Sequence, residues 1–163
     1  SGEVMIEVNI TDDMMNAARK KAQEMGLLNN SILRSAGSVA GFLGEQVVLS
    51  VVGGEWSNTY DYDLISDKGN KIDVKTKQTT VKPLPYYSAS VANFNTKQMC
   101  DYYAFVRVHK NFSTAWYMGA MPKKEYYELS TFMKKGDVDP DNNFKVRADC
   151  HNLSYSELKE FEI

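Results

Sequence analysis

Apolar and polar positions alternate at the start of the chain. Val4, Ile6, Val8 and Ile10 stand against Glu3, Met5, Glu7 and Asn9, the period of a half-buried strand. The period then changes. Thr11 suits a helix N-cap, Asp12 and Asp13 suit the positive end of a helix, and Met14, Met15, Ala18, Ala22 and Met25 recur at helical spacing as a core stripe. Gly26 predicts the stop, and Leu27 to Ser35 reads as a connector. A second helix is predicted over about Ser38 to Val52, closed by Gly53-Gly54. Its Gly37, Gly41 and Gly44 fall on one side. A helix-interior glycine costs about 1 kcal/mol relative to alanine, so the pattern predicts close packing against a sheet, which carries Glu45 toward the strands. The alternative is a helix that begins only near Gly44.

Tyr60 to Ser66 and Asn70 to Thr76 are strand-like, separated by Asp67-Lys68-Gly69. A three-residue hairpin loop places its last residue in the left-handed region, where Gly69 stands. The register follows: Ser66 faces Asn70, Asp63 faces Asp73 and Asp61 faces Lys75. Opposed side chains share a face, with Cβ atoms roughly 5 Å apart. A two-residue loop would instead put Asp63 and Asp73 on opposite faces.

After a loose Val81–Pro85 stretch, Tyr87 to Val91 is predicted as a short strand. Asn95 or Thr96 is predicted to cap a short helix through Met99. Asp101 to His109 is the most apolar β stretch and the candidate central strand. Lys110 to Ser113 turns the chain back into Thr114 to Met121. Pro122 stands where a first helical residue belongs, predicting a helix to about Lys135 with Gly136 as its stop and Lys134 and Lys135 in its last turn. Asp137 to Asn143 reads as a polar loop. Ser154 with Glu157 makes a capping box and Leu153 with Leu158 a hydrophobic staple, predicting a C-terminal helix. No repeat, low-complexity segment or linker divides the chain. The prediction is one α/β domain over residues 1–163, with a central mixed β-sheet flanked by helices.

Composition adjusts this picture little. The 163 residues are 43% hydrophobic, 12% aromatic and 25% charged, in the range of globular domains. No apolar run reaches the roughly 20 residues of a membrane span, and no secretory pattern is present. Ser1-Gly2, with no starting Met, reads as the remnant of a cleaved tag. Two isolated cysteines, Cys100 and Cys150, fit a reducing, cytoplasmic compartment. The net charge of −2 excludes a general polycation, so nucleic-acid binding requires a local basic face or a bound metal.

The chemistry concentrates between Gly41 and Lys77. Like charges opposed across a hairpin repel, and a cation between them removes the repulsion. Magnesium takes hard oxygen ligands and keeps several waters. Asp63, Asp73 and the neighbouring Val74 carbonyl supply three ligands, and Glu45 holds a metal-bound water or a second ion. Lys75, two residues after Asp73, projects from the same face, placed to orient or deprotonate water.

The run Tyr62-Asp63-Leu64-Ile65, nine intervening residues, then Ile72-Asp73-Val74-Lys75 resembles the PD-(D/E)xK nuclease superfamily, and upstream Gly44-Glu45 resembles its acidic helix residue. The resemblance covers about residues 38–109. Tyr62 replaces the proline of the motif. The size is similar to that of small phage-encoded or homing-type members. The resemblance implies a restriction-endonuclease-like core and an endonuclease that hydrolyses DNA with Mg2+, for which Mn2+ substitutes. It implies Asp63 and Asp73 as metal ligands, Lys75 as catalytic lysine and Glu45 as helix carboxylate. Asp61 is the alternative ligand to Asp63, and otherwise the partner of Lys75. Lys77, Lys82 and Lys97 with Tyr86 and Tyr87 are candidates for a nucleic-acid groove. Cutting both strands of a duplex would favour a homodimer.

Two other readings stand beside this one. A degenerate nuclease fold would bind DNA or a protein without cutting. A Cys–His hydrolase would need Cys100 or Cys150 to meet His109 or His151. Asp149-Cys150-His151 lacks the second Cys/His pair of a structural zinc site.

Overall fold

The computed structural model describes residues 5–29, 32–57, 59, 61–140, 143–158 and 161–163, with backbone alone for 26–29, 32–38 and 94. The expected strand residue Val4 and hairpin residue Tyr60 lie outside the described residues, as do Ser1-Gly2, Glu3 and 141–142 of the polar loop. A six-stranded mixed sheet forms the centre. In spatial order it runs β1 (Ile6–Asn9), β7 (Thr114–Pro122), β6 (Tyr102–His109), β4 (Lys71–Thr79), β3 (Leu64–Ser66) and β2 (Gly54–Trp56). Among the described residues of this sheet only β4 and β6 pair in parallel, and every other pairing is antiparallel.

On one face lie α1 (Asp12–Asn29) and α2 (Ile32–Val52). Leu43, Val47 and Val48 of α2 are fully buried against Leu64, Ile72, Ala104 and Val106. The other face carries a three-stranded sheet, β5 (Ser88–Ala92), β9 (Cys150–Ser154) and β8 (Thr131–Met133), together with α3 (Lys123–Leu129). Its core contains Tyr103, Phe105, Met118, Val91, Tyr126 and Tyr155. Alternation along β6 divides the two cores: Ala104 and Val106 look toward the helices, Tyr103 and Phe105 toward the second sheet.

Several local expectations hold. The Met14 N–H donates to Thr11 Oγ1 at 3.2 Å, so Thr11 caps α1. Gly53 (φ +72°) ends α2, its N–H bonded to the Leu49 carbonyl at 2.9 Å, a left-handed C-cap. Gly69 takes φ +86° with its N–H on the Ser66 carbonyl, and β3 pairs with β4 through Leu64↔Ile72 and Ile65↔Lys71, the register this turn dictates. The central position of β6 also matches.

Others are corrected. The first helix passes Gly26 and runs to Asn29, and the second begins at Ile32, so the expected connector from Leu27 to Ser35 is mostly helix. One glycine costs too little to break two helices packed on each other. The segment after Gly53 forms β2 on the outer edge of the hairpin. The helix expected from Asn95 to Met99 is a single 3-10 turn at Asn93–Asn95. α3 stops at Leu129, and the residues expected to continue it form β8. Ser154 caps no helix: its Oγ donates to the Pro85 carbonyl at 3.1 Å, and only one 3-10 turn, Tyr155–Glu157, follows. Leu153 and Leu158 are buried, but as parts of a strand end and a turn.

Candidate functional site

The site forms where β3 leaves β4. β3 pairs with β4 only through Leu64 and Ile65. At Asp63 the ladder slips: its N–H donates to the Ile72 carbonyl at 2.9 Å, and its carboxylate Oδ2 accepts the Val74 N–H at 2.8 Å. The Asp63 carboxylate therefore occupies the place in the sheet plane that a continuing strand would take. This replaces the expected flat opposition of Asp63 and Asp73 on one face. Because a strand residue's N–H and C=O point to the same side, the Val74 carbonyl opens toward Asp63.

Asp73 and Lys75 alternate with the core-facing Ile72 and Val74 and point to the second-sheet face, level with Tyr103 and Phe105 of β6. Lys75 Nζ lies 2.7 Å from Asp73 Oδ2. Gln98 clamps the pair: its Nε2 donates to Asp73 Oδ1 at 3.1 Å, and its Oε1 accepts from Lys75 Nζ at 3.3 Å. Lys123 Nζ in turn donates to the Gln98 carbonyl. Asp61, the expected partner of Lys75, instead accepts the Met99 N–H at 3.0 Å. The slip at Asp63 removes it from the ladder, so it neither opposes Lys75 nor joins the carboxylate pair.

Glu45 arrives from the helix face. Gly44 makes this possible: a Cβ there would stand 1.9 Å from Thr76 Oγ1 on β4. Gly41, on the same helix, has open space around it. Glu45 is buried and 3.7 Å from Lys21 of α1, whose ammonium sits 4.0 Å over the Trp56 ring. Burial lowers the Lys21 pKa, an effect opposed by the Glu45 and Asp63 charges.

Three acidic side chains thus lie within reach of one another's charge. Burial first, then the charges of Glu45 and Asp73, raise the Asp63 carboxyl far above the usual range. Burial also raises Glu45, against the pull of Lys21. Carboxylates so placed are short of positive charge, which is the environment a divalent cation fits. Asp63, Asp73 and the Val74 carbonyl form a hard oxygen set of the kind magnesium takes. Among the described residues, no three His, Cys, Asp or Glu side chains already stand as a ligand group.

Beside this point a cleft of about 900 Å³ opens between the two sheets, floored by Lys75 and Lys77 of β4 and walled by Ser90, Asn152, Phe144 and residues 146–149. Lys77 Nζ donates to Ser90 Oγ at 3.0 Å. Desolvation and then the Arg107 charge lower its pKa to about 8, although the residue as a whole is exposed. Lys77 and Tyr87 line the cleft; Lys82, Lys97 and Tyr86 are exposed and stand outside its lining. The expected lysine groove is therefore narrower, because β4 runs on and carries the later loop away from the site.

The cysteines are poor nucleophiles here. Burial and then Asp73 push Cys100 up to about 12, and burial raises Cys150. His151 packs on Tyr127 and Phe132, while His109 Nε2 sits 3.1 Å from the Thr80 carbonyl.

Sequence reading missed Lys21, Gln98, Arg107 and Arg147. Lys21 had a signal, three residues after Ala18 and seven after Met14, on the apolar face of its helix. Arg107 had one too, a lone charge inside an apolar strand. Gln98 and Arg147 had none. No helix among the described residues is long and apolar enough to cross a membrane. No known protein family matches the chain, and no curated protein shows significant sequence similarity to it.

Proposed function

We propose that the chain is a magnesium-dependent nuclease of the PD-(D/E)xK type, with a restriction-endonuclease-like core, that hydrolyses DNA phosphodiesters. One observation carries this reading. Carboxylates from three separate elements, Glu45 on α2 and Asp73 on β4 buried and Asp63 before β3 half-buried, converge where the sheet opens, with Lys75 held against Asp73. A merely structural hairpin has no reason to bury like charges together; doing so costs stability unless a cation completes the set.

In this reading Asp63, Asp73 and the Val74 carbonyl hold the ion. Magnesium there would lower the pKa of a bound water and neutralise charge growing on the phosphate. Lys75, fixed by Asp73 and Gln98, orients the attacking water and shares its proton. Glu45 holds a water on the opposite side, its charge balanced by Lys21. The fixed positions of these groups before substrate arrives are what make the electrostatics effective.

The test is incubation of supercoiled plasmid with the protein and magnesium, with and without chelator, alongside Asp73→Ala and Lys75→Ala. Cleavage by wild type, abolished by chelator and by either substitution, is expected. Cleavage that persists unchanged in both variants would refute the site. DNA binding with no cleavage under any divalent ion would favour the non-cutting module.

A further inference from the structure

The cleft beside the carboxylates identifies the form of nucleic acid. Lys77, Arg107 and Arg147 line it, and among the described residues none of the three has a carboxylate within ion-pair distance. Among the described lining residues the one acidic side chain is Asp149, whose Oδ1 accepts the Lys135 N–H, while Asp139 lies behind the wall and accepts from Ser88 Oγ. In a chain of net charge −2 this is a local excess of positive charge, the footprint of a phosphate backbone. Aromatic faces stand among the cations. The Arg107 guanidinium lies 5.4 Å from the Tyr87 ring, and Arg147 lies 5.9 Å from Phe144, which is 48% exposed. Cations alternating with aromatic faces along a groove are how proteins hold unpaired strands, through phosphate contacts and base stacking.

Shape points the same way. About 900 Å³ falls in the range of small-ligand pockets, roughly 300–1,000 Å³, which admits a short run of unpaired nucleotides. A protein reads a duplex by placing an element into a groove roughly 12 Å wide, and here the reactive groups lie on the floor of a recess. That floor is continuous with the site. Among the described residues β4 has no strand partner on its β3 side beyond Ile72, and Val74, Thr76 and Gln78 along that edge lead from Asp63 into the cleft.

We propose that this cleft binds single-stranded DNA and that the Asp63–Asp73–Lys75 site acts on an unpaired strand. The proposal rests on the nuclease reading for the reaction, but the binding stands on the cleft alone.

The test is fluorescence anisotropy of a fluorescein-labelled oligonucleotide, single-stranded and annealed to its complement, titrated with the full chain in chelator across a range of salt. The single strand is expected to bind at least tenfold tighter than the duplex. Lys77→Ala with Arg147→Ala should weaken it at least tenfold. The double variant should also flatten the slope of log K against log salt by about 1.4, at roughly 0.7 per phosphate neutralised on a single strand. Lys77→Arg with Arg147→Lys should retain binding, which separates charge from folding. Equal or tighter binding of the duplex, or an unchanged salt slope, would overturn the proposal. Cleavage assays on the same two substrates with magnesium keep the claims apart. Cutting confined to the duplex overturns the single-strand assignment and leaves the nuclease reading. Tight single-strand binding without cutting overturns the nuclease reading and sustains the cleft.

Discussion

Two glycines on one helix are expected to respond in opposite directions to the same substitution. Both Gly41 and Gly44 lie inside α2, so replacing either with alanine gains helix propensity of about 1 kcal/mol and restricts the unfolded chain. At Gly41 nothing lies within 4 Å of the added Cβ, and Gly41→Ala should stabilise by roughly 0.5–1 kcal/mol. At Gly44 the new Cβ would meet Thr76 Oγ1 at 1.9 Å and both Thr76 Cβ and Cγ2 at 3.0 Å. Rotating Thr76 does not fully relieve this, since its own Cβ stands 3.0 Å from the added atom whatever the rotamer. α2 must lift off β4, and overpacking of this kind costs roughly 1–3 kcal/mol. The Leu43, Val47 and Val48 contacts loosen with it. The net for Gly44→Ala is a loss of about 1–2 kcal/mol, or a fall in melting temperature of about 2–8 °C at 2–4 °C per kcal/mol. Because Glu45 is the next residue, the lift also moves its carboxylate from Lys21, so cleavage should fall more than stability does. Thermal melts of both variants, with plasmid cleavage at 20 °C, make the comparison. A Gly44→Ala variant as stable as Gly41→Ala would refute the close approach of α2 to β4 and the placement of Glu45 that depends on it.

The Asp63 carboxyl, with a pKa pushed up to about 8, should make the metal-free protein pH-dependent. Its contribution to stability is fully present below the ordinary carboxylate range near pH 4 and is lost as pH rises through about 8. Asp63→Asn keeps an acceptor for the Val74 N–H and removes that loss. In chelator at pH 8.5 it should be more stable than wild type by several kcal/mol, with a much smaller difference at pH 4.5. Urea melts of the two proteins with identical pH slopes would contradict it. Gln98→Ala removes hydrogen bonds to both Asp73 and Lys75. It should cost about 2 kcal/mol of stability and at least tenfold in cleavage rate, while undiminished cleavage would remove Gln98 from the positioning of Lys75.

What the sequence made legible was what short-range chemistry decides. Gly69 determines a turn, and the turn determines which residues of β3 and β4 pair. Thr11 and Gly53 mark helix ends through their own backbone contacts. The run from Tyr102 to His109 is apolar on both faces because both are covered. The rest depended on partners far along the chain. The slip at Asp63 exists because Ile72 and Val74 offer groups to it where β3 bends away, which no local pattern encodes. Cys150–Ser154 carries no strand pattern of its own and becomes a strand because β5 and β8 lie on either side of it. Gln98 becomes part of the site only when the turn after β5 folds over Asp73. Lys21 stands on the apolar face of its helix, but its partners there, Trp56 and Glu45, lie far along the chain.

The central claim is that the carboxylates at the broken end of β3 hold a divalent cation. Titration of Mn2+ into the protein, with free ion followed by electron paramagnetic resonance, tests it most directly. Wild type should take up the ion stoichiometrically, with magnesium competing, while Asp73→Asn and Asp63→Asn, folded by circular dichroism, should leave it free. Equal uptake by wild type and both variants would place the ion elsewhere and contradict the account.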